Sequence, residues 1–181
     1  PKQQKTYHYV VVSASTAATA NISTAIGWFS SATPAVVTEM DYLYDSNYKA
    51  RNITGLVTET RLLNPLNSTD IFSKGRFIYD ESTYFDGIYF TTNWEDPNSA
   101  YRGNVTTAKT WVKETDTWIQ SHTMFDNFGN LRKVWDTSDD STRFVESEYD
   151  PVYKYAYSTK TKSPAPDPSG VHGMAEGSEI S

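Results

Sequence analysis

The stretch from Phe125 to Asp136 reads Phe-Asp-Asn-Phe-Gly-Asn-Leu-Arg-Lys-Val-Trp-Asp. An aromatic-Asp pair is followed, two residues later, by Gly-Asn and then by a strand-like run. Each residue type has a physical use. Asp bonds its own backbone two residues on and so starts a turn. Gly supplies positive φ without a Cβ penalty, and the aromatic ring seals neighbouring strands. Looser copies recur. Tyr44-Asp45 precedes Gly55, Tyr79-Asp80 precedes Gly103-Asn104, and Tyr149-Asp150 closes the series. Each unit is an aromatic-Asp, a Gly turn, a strand, a turn and a return strand. Such self-similarity predicts a repeat architecture in which each unit buries itself against the next.

The aromatic share of 14 % and the wealth of Thr, Ser, Tyr and Val favour pleated surfaces over helical bundles. The absence of cysteine removes disulfides, thiolate metal sites and cysteine nucleophiles together. Net charge is −6 with no basic patch, so nucleic acid is not an expected partner. No apolar run approaches the roughly 20 residues of a membrane span, and membrane insertion is not expected. The opening Pro1-Lys2-Gln3-Gln4-Lys5-Thr6 has no initiator Met and no signal-peptide core, so the chain reads as a piece of something longer.

Taken in order, the chain divides into residues 1–35, 36–157 and 158–181. The first region holds a strand over Tyr7 to Val12, an Ala/Ser/Thr-rich stretch whose periodicity does not decide between loop and helix, and the apolar Ile26-Gly27-Trp28-Phe29. The second holds strand-like runs over 36–44, 55–63, 72–79, 84–92, 105–112, 117–124, 131–135 and 142–149. Trp111 and Trp118 flank a turn at 113–116 and are expected to pair across it. The third is rich in Pro, Gly and Ser and reads as a flexible tail. The expected fold is all-β: repeated antiparallel hairpins in one continuous curved sheet, with an extended C-terminal tail.

The recurrence resembles the tyrosine-aspartate (YD) repeats of the rearrangement-hotspot (Rhs) family. It rests on Phe125-Asp126-x-x-Gly129-Asn130-Leu131, on Arg102-Gly103-Asn104-Val105-Thr106 with its Trp-bearing hairpin, and on the run into Pro166-Asp167-Pro168-Ser169-Gly170. Phe125 stands where the family has Tyr, and Leu56 where Asn is expected. The resemblance implies a structural role for Tyr44, Asp45, Gly55, Tyr79, Asp80, Gly103, Asn104, Phe125, Asp126, Gly129, Asn130, Tyr149 and Asp150. It also implies a secreted or cell-surface parent, bacterial rather than eukaryotic, whose repeats wind into a hollow β-shell. The partners would then be the rest of that parent and an enclosed cargo polypeptide, such as a toxin segment.

No catalytic, cofactor or metal residues are expected. His8, His122 and His172 have no metal-ligand spacing, and there is no Gly-x-Ser-x-Gly elbow. Glu95-Asp96, Asp136, Asp139-Asp140, Glu146 and Glu148 read as turn and loop acids rather than as a glycosidase pair or a calcium loop. The alternative function is carbohydrate binding at a cell surface, with Trp94, Trp111, Trp118 and Trp135 as a stacking strip. Sequons for N-glycosylation occur at Asn21, Asn52, Asn67 and Asn104 and read as chance occurrences in a Thr/Ser/Asn-rich chain.

Overall fold

The computed structural model describes residues 2–6, 36–86, 101–136, 143–164 and 179–181. The strand expected over 7–12, the undecided stretch after it, Trp28 and most of the 84–92 run lie outside the described residues. So do Trp94, His8, His172, the Asp139-Asp140 turn and Asn21.

The described residues form one open antiparallel sheet, with strand order equal to chain order. Its strands are β1 (Lys2–Thr6), β2 (Val36–Tyr42), β3 (Val57–Asn64), β4 (Asn67–Tyr79) and β5 (Val105–Val112), followed by β6 (Thr117–Phe125), β7 (Leu131–Asp136), β8 (Val145–Tyr149), β9 (Ser158–Lys162) and β10 (Glu179–Ile180). The all-β, repeated-hairpin expectation describes this sheet. Among the described residues helix is confined to α1 (Ser46–Ala50) and two 3-10 turns, Ser82–Tyr84 and Pro151–Tyr153. Trp111 lies directly opposite Trp118, as their positions around the turn predict.

Two differences from the sequence expectation stand out. Ser158–Lys162, placed in the tail, is a strand between β8 and β10. Its Ser-Thr-Lys-Thr-Lys has little apolar content, yet the β-branched threonines suit a pleat and the lysines meet acids on β8. Lys162 Nζ is bonded to Glu148 Oε1. Lys2–Thr6 is also a strand, paired with β2, although its polar sequence carries no strand pattern.

Side chains alternate between the faces of a strand, so the register sorts them. One face carries long charged and aromatic side chains: Glu39, Arg61, Lys74, Trp111 and Trp118 follow one another across β2 to β6. The other face mixes hydroxyls, Thr38, Thr60, Ser73, Thr110, Ser121 and Ser147, with apolar Leu62, Phe77, Ile119 and Val134 and the charged Asp136. Among the described residues no second layer of secondary structure covers either face. The buried apolar side chains there are Val37, Tyr48 and Leu63. Among the described residues hydrophobic burial is therefore a minor term. The backbone ladder, cross-strand pairs and strand connections hold the sheet.

Candidate functional site

In a meander, alternate connections lie at opposite ends of the sheet. The links β2–β3, β4–β5, β6–β7 and β8–β9 share one end, and the four aromatic-Asp pairs of the repeat fall there, whereas Trp135-Asp136 ends β7 at the opposite end. At each of these links the register slips one residue before an aromatic: at Asp41/Tyr42, Ile78/Tyr79, Met124/Phe125 and Glu148/Tyr149. The slips leave Thr58, Thr106, Arg132 and Thr159 as the extra residues of four bulges. A bulge sharpens the local twist and re-aims the chain. In the fourth the threonine hydroxyl donates to the carbonyl just before the aromatic, Thr159 to Glu148 O at 3.4 Å, and in the second Thr106 Oγ1 lies 3.2 Å from the equivalent carbonyl, Ile78 O. These four connections are the corners of the sheet.

The third corner is the compact one. Asp126 Oδ1 accepts from Phe128 N at 2.9 Å and Asn130 N at 2.8 Å, and Asp126 Oδ2 accepts from Asn130 Nδ2 at 3.0 Å. Gly129 closes the turn at φ +85. At the second corner Asp80 plays the same part across a long insertion, accepting from Gly103 N at 2.7 Å and Asn104 N at 3.1 Å. Gly103 has φ +82, and a side chain there would press on Leu56 and Ile53. At the fourth corner Asp150 accepts from Val152 N at 2.7 Å. With no glycine available, Lys154 and Tyr155 take the left-handed conformation, at φ +52 and +59.

The first corner departs from the sequence alignment. Tyr42 pairs with Val57, and Leu43 N bonds Leu56 O at 2.8 Å. That is the relation of Tyr79 to Val105 and of Asp80 N to Asn104 O. The register thus puts Tyr42-Leu43, not Tyr44-Asp45, at the equivalent position. Tyr44 is 86 % exposed, and Asp45 caps α1 by accepting from Asn47 N at 2.7 Å. The aromatic-to-Gly spacing differs among the three corners that have a glycine, so spacing alone carries no signal for this shift.

Neighbouring corners are bonded to one another. Tyr48 of the first donates to Asp80 Oδ2 of the second at 2.8 Å, and its ring meets Tyr101 edge-on. Arg102 of the second donates to Asn127 O of the third. Asn130 of the third donates to Tyr155 O of the fourth at 2.9 Å, where Phe128 stacks on Tyr155. The corner tyrosines reach backwards as well. Tyr79 Oη donates to Val57 O at 2.7 Å, and Tyr149 Oη to Leu131 O at 3.2 Å. Phe125 has no hydroxyl for such a bond. Tyr79→Phe is expected to cost about 1 kcal/mol, read as a lower urea midpoint, and the exposed Tyr149 pair less. Tyr48 and Tyr155 lie outside the motif, so the sequence does not single them out, and Arg102, though it opens the Arg102–Thr106 segment, carries no sequence signal of its reach to Asn127.

A polar cluster sits between the second and third corners. Glu81 Oε2 accepts from Thr106 at 2.8 Å and from Thr107 at 2.5 Å, and Thr107 Oγ1 lies 2.9 Å from His122 Nδ1. Thr107 spends its only proton on Glu81, so His122 donates through Nδ1. His122 is 8 % exposed, stacks on Tyr84 and touches Trp135. Burial holds its pKa below the ordinary 6.5, and Lys109 adds to the effect against the opposing charge of Glu81. The unfolded chain then binds more protons just below pH 6.5, so stability falls as pH drops through that window. Denaturation midpoints across the window are expected to show the slope in the native chain and to lose it in His122→Gln.

A cavity of about 120 Å³ beside this cluster is lined by Asp80, Glu81, Tyr84, Asn104, Thr106 and Asp126. Its two aspartates are already committed to backbone N–H groups. Among the described residues no three His, Asp or Glu side chains are placed to hold a metal ion. Trp111 lies under Lys74 Nζ at 4.3 Å and Trp118 under Arg76 at 4.6 Å. Trp135 is packed with Tyr84 and His122. Comparison with family models, curated proteins and solved structures gave no match to this chain.

Proposed function

We propose that this chain is a non-catalytic wall segment of a large secreted or cell-surface YD-repeat (Rhs-type) protein, whose β-shell encloses a cargo polypeptide. The observation that carries the reading is the row of corners. Four successive hairpins bulge at the same point and share one end of the sheet, and they are linked corner to corner. A unit that bonds its neighbours on both sides is built to be continued. Two further features agree. The single layer buries few apolar side chains of its own, and an open sheet offers unpaired edges to further strands.

The carbohydrate alternative has less support, because a sugar would have to displace the cations that lie over Trp111 and Trp118. The deciding experiment is to express the chain with its native flanking sequences and treat it with protease. The wall reading expects a closed particle and a protected internal polypeptide. Flanks without further corners, or a fully digestible product, would reject it. Hits on a glycan array that are lost in Trp111→Ala would favour the alternative.

A further inference from the structure

The sequons are not equivalent once folded, and the described ones separate clearly. Asn67-Ser68-Thr69 opens β4 at the tight turn after Asn64, at the end of the sheet away from the corners, and all three residues are exposed. Asn67 Oδ1 accepts from Thr69 N at 3.2 Å and from Thr69 Oγ1 at 2.8 Å. The amide and the hydroxyl that define a sequon are thus held together in solvent by bonds within the sequon itself, at the tip where Asn67 pairs with Asn64 of β3. Asn104-Val105-Thr106 is the opposite case. Thr106 is 2 % exposed and is engaged with Glu81 and Ile78, while the Asn104 backbone is bonded to Asp80. A glycosyltransferase reads the hydroxyl as well as the amide, and at Asn104 the hydroxyl is inaccessible. Asn52 is exposed but held in a left-handed turn at φ +58.

From this contrast we propose that Asn67 is an acceptor for an N-linked oligosaccharide in the folded chain, and that Asn104 is closed to one. The donor class is a lipid-linked oligosaccharyl diphosphate. The bond from Asn67 Nδ2 to the sugar C1 forms as the C1–O–phosphate bond breaks. The lipid diphosphate leaves with the electron pair, and the amide loses one proton to the transferase base. The reaction is neither oxidation nor reduction. The inference stands apart from the wall reading, since it uses only an exposed hairpin tip.

The test offers the purified folded chain and the same chain in denaturant-unfolded, rapidly diluted form to a single-subunit oligosaccharyltransferase with a lipid-linked oligosaccharide. Occupancy is read by peptide mass. The folded chain is expected to carry the sugar at Asn67 and at least ten-fold less at Asn104, and the unfolded chain to take it at both. Asn67→Gln and Thr69→Ala are expected to abolish the Asn67 product, and Thr69→Ser to retain it. Circular dichroism of each variant separates this from loss of fold. An unmodified Asn67 in the folded chain, beside a modified free peptide of the same sequence, would overturn the proposal. Equal occupancy of Asn104 and Asn67 in the folded chain would overturn it too.

Discussion

Asp126→Ala is expected to be the most damaging single change in the chain, lowering stability by about 3–5 kcal/mol. The side chain is 1 % exposed and holds three donors within one turn. Asn130 Nδ2 still reaches Tyr155 O after the change, but the N–H groups of Phe128 and Asn130 are left without an acceptor in a buried corner. Each orphaned donor costs about 1–3 kcal/mol. Asp126→Asn separates charge from shape. Its carbonyl serves the two backbone donors, but its amide then faces Asn130 Nδ2, donor against donor, and about 2 kcal/mol is expected. Asp150→Ala is the internal control. That carboxylate accepts a single exposed bond, so about 0.5–1 kcal/mol follows, as for an ordinary cap. Urea midpoints at constant slope would measure all three. Equal, small losses would show that the corners do not hold the sheet.

These corners also show what a sequence of this kind displays and what it conceals. The strands from Val36 to Tyr149 announce themselves through β-branched and aromatic runs, and Gly103 and Gly129 through turn chemistry. The aspartates at 80, 126 and 150 are legible because Asp has a strong local use in starting turns. The first corner misleads for the same reason. Tyr44-Asp45 carries the motif's letters, but that Asp is used to cap a five-residue helix. The true equivalent, Tyr42-Leu43, has no Asp to display, and only strand pairing reveals it. Contacts between corners are harder still. Tyr48 meets Asp80 across 32 residues, and Asn130 meets Tyr155 across 25, distances at which no local rule applies. The edge strand Lys2–Thr6 forms because β2 offers it a free ladder, not because its residues favour a strand.

A second large effect is expected from Arg61→Met, which keeps the stem and removes the charge. Arg61 stands in the middle of the charged face. Its Nη1 is 2.8 Å from Asp41 Oδ2 and 2.5 Å from Glu59 Oε1, and its Nε is 3.3 Å from Glu39 Oε2. Arg76 supports Glu59 from the far side at 2.5 Å but is itself half exposed. Without Arg61, three carboxylates face one another on adjacent strands, and about 2–3 kcal/mol of stability is lost at neutral pH, less than for a fully buried pair because water screens the site. The sign of the pH dependence is the sharper test. In the native chain the bond to Arg61 holds Asp41 below its ordinary value. Burial pushes Glu59 up, but Arg76 and Arg61 outweigh it and hold Glu59 down. Groups with depressed folded values contribute above the unfolded carboxylate range, and that contribution is lost as pH falls through the folded values. In Arg61→Met the crowded acids gain by protonating, so the slope reverses and the variant should close on the native chain as the medium is acidified. Adding Asp41→Asn and Glu59→Gln to Arg61→Met should recover much of the loss at neutral pH, because it is the unpaired charges that cost, not the missing cation. A variant whose deficit is the same at neutral and acid pH would instead place the effect in lost packing of the Arg61 stem against the sheet.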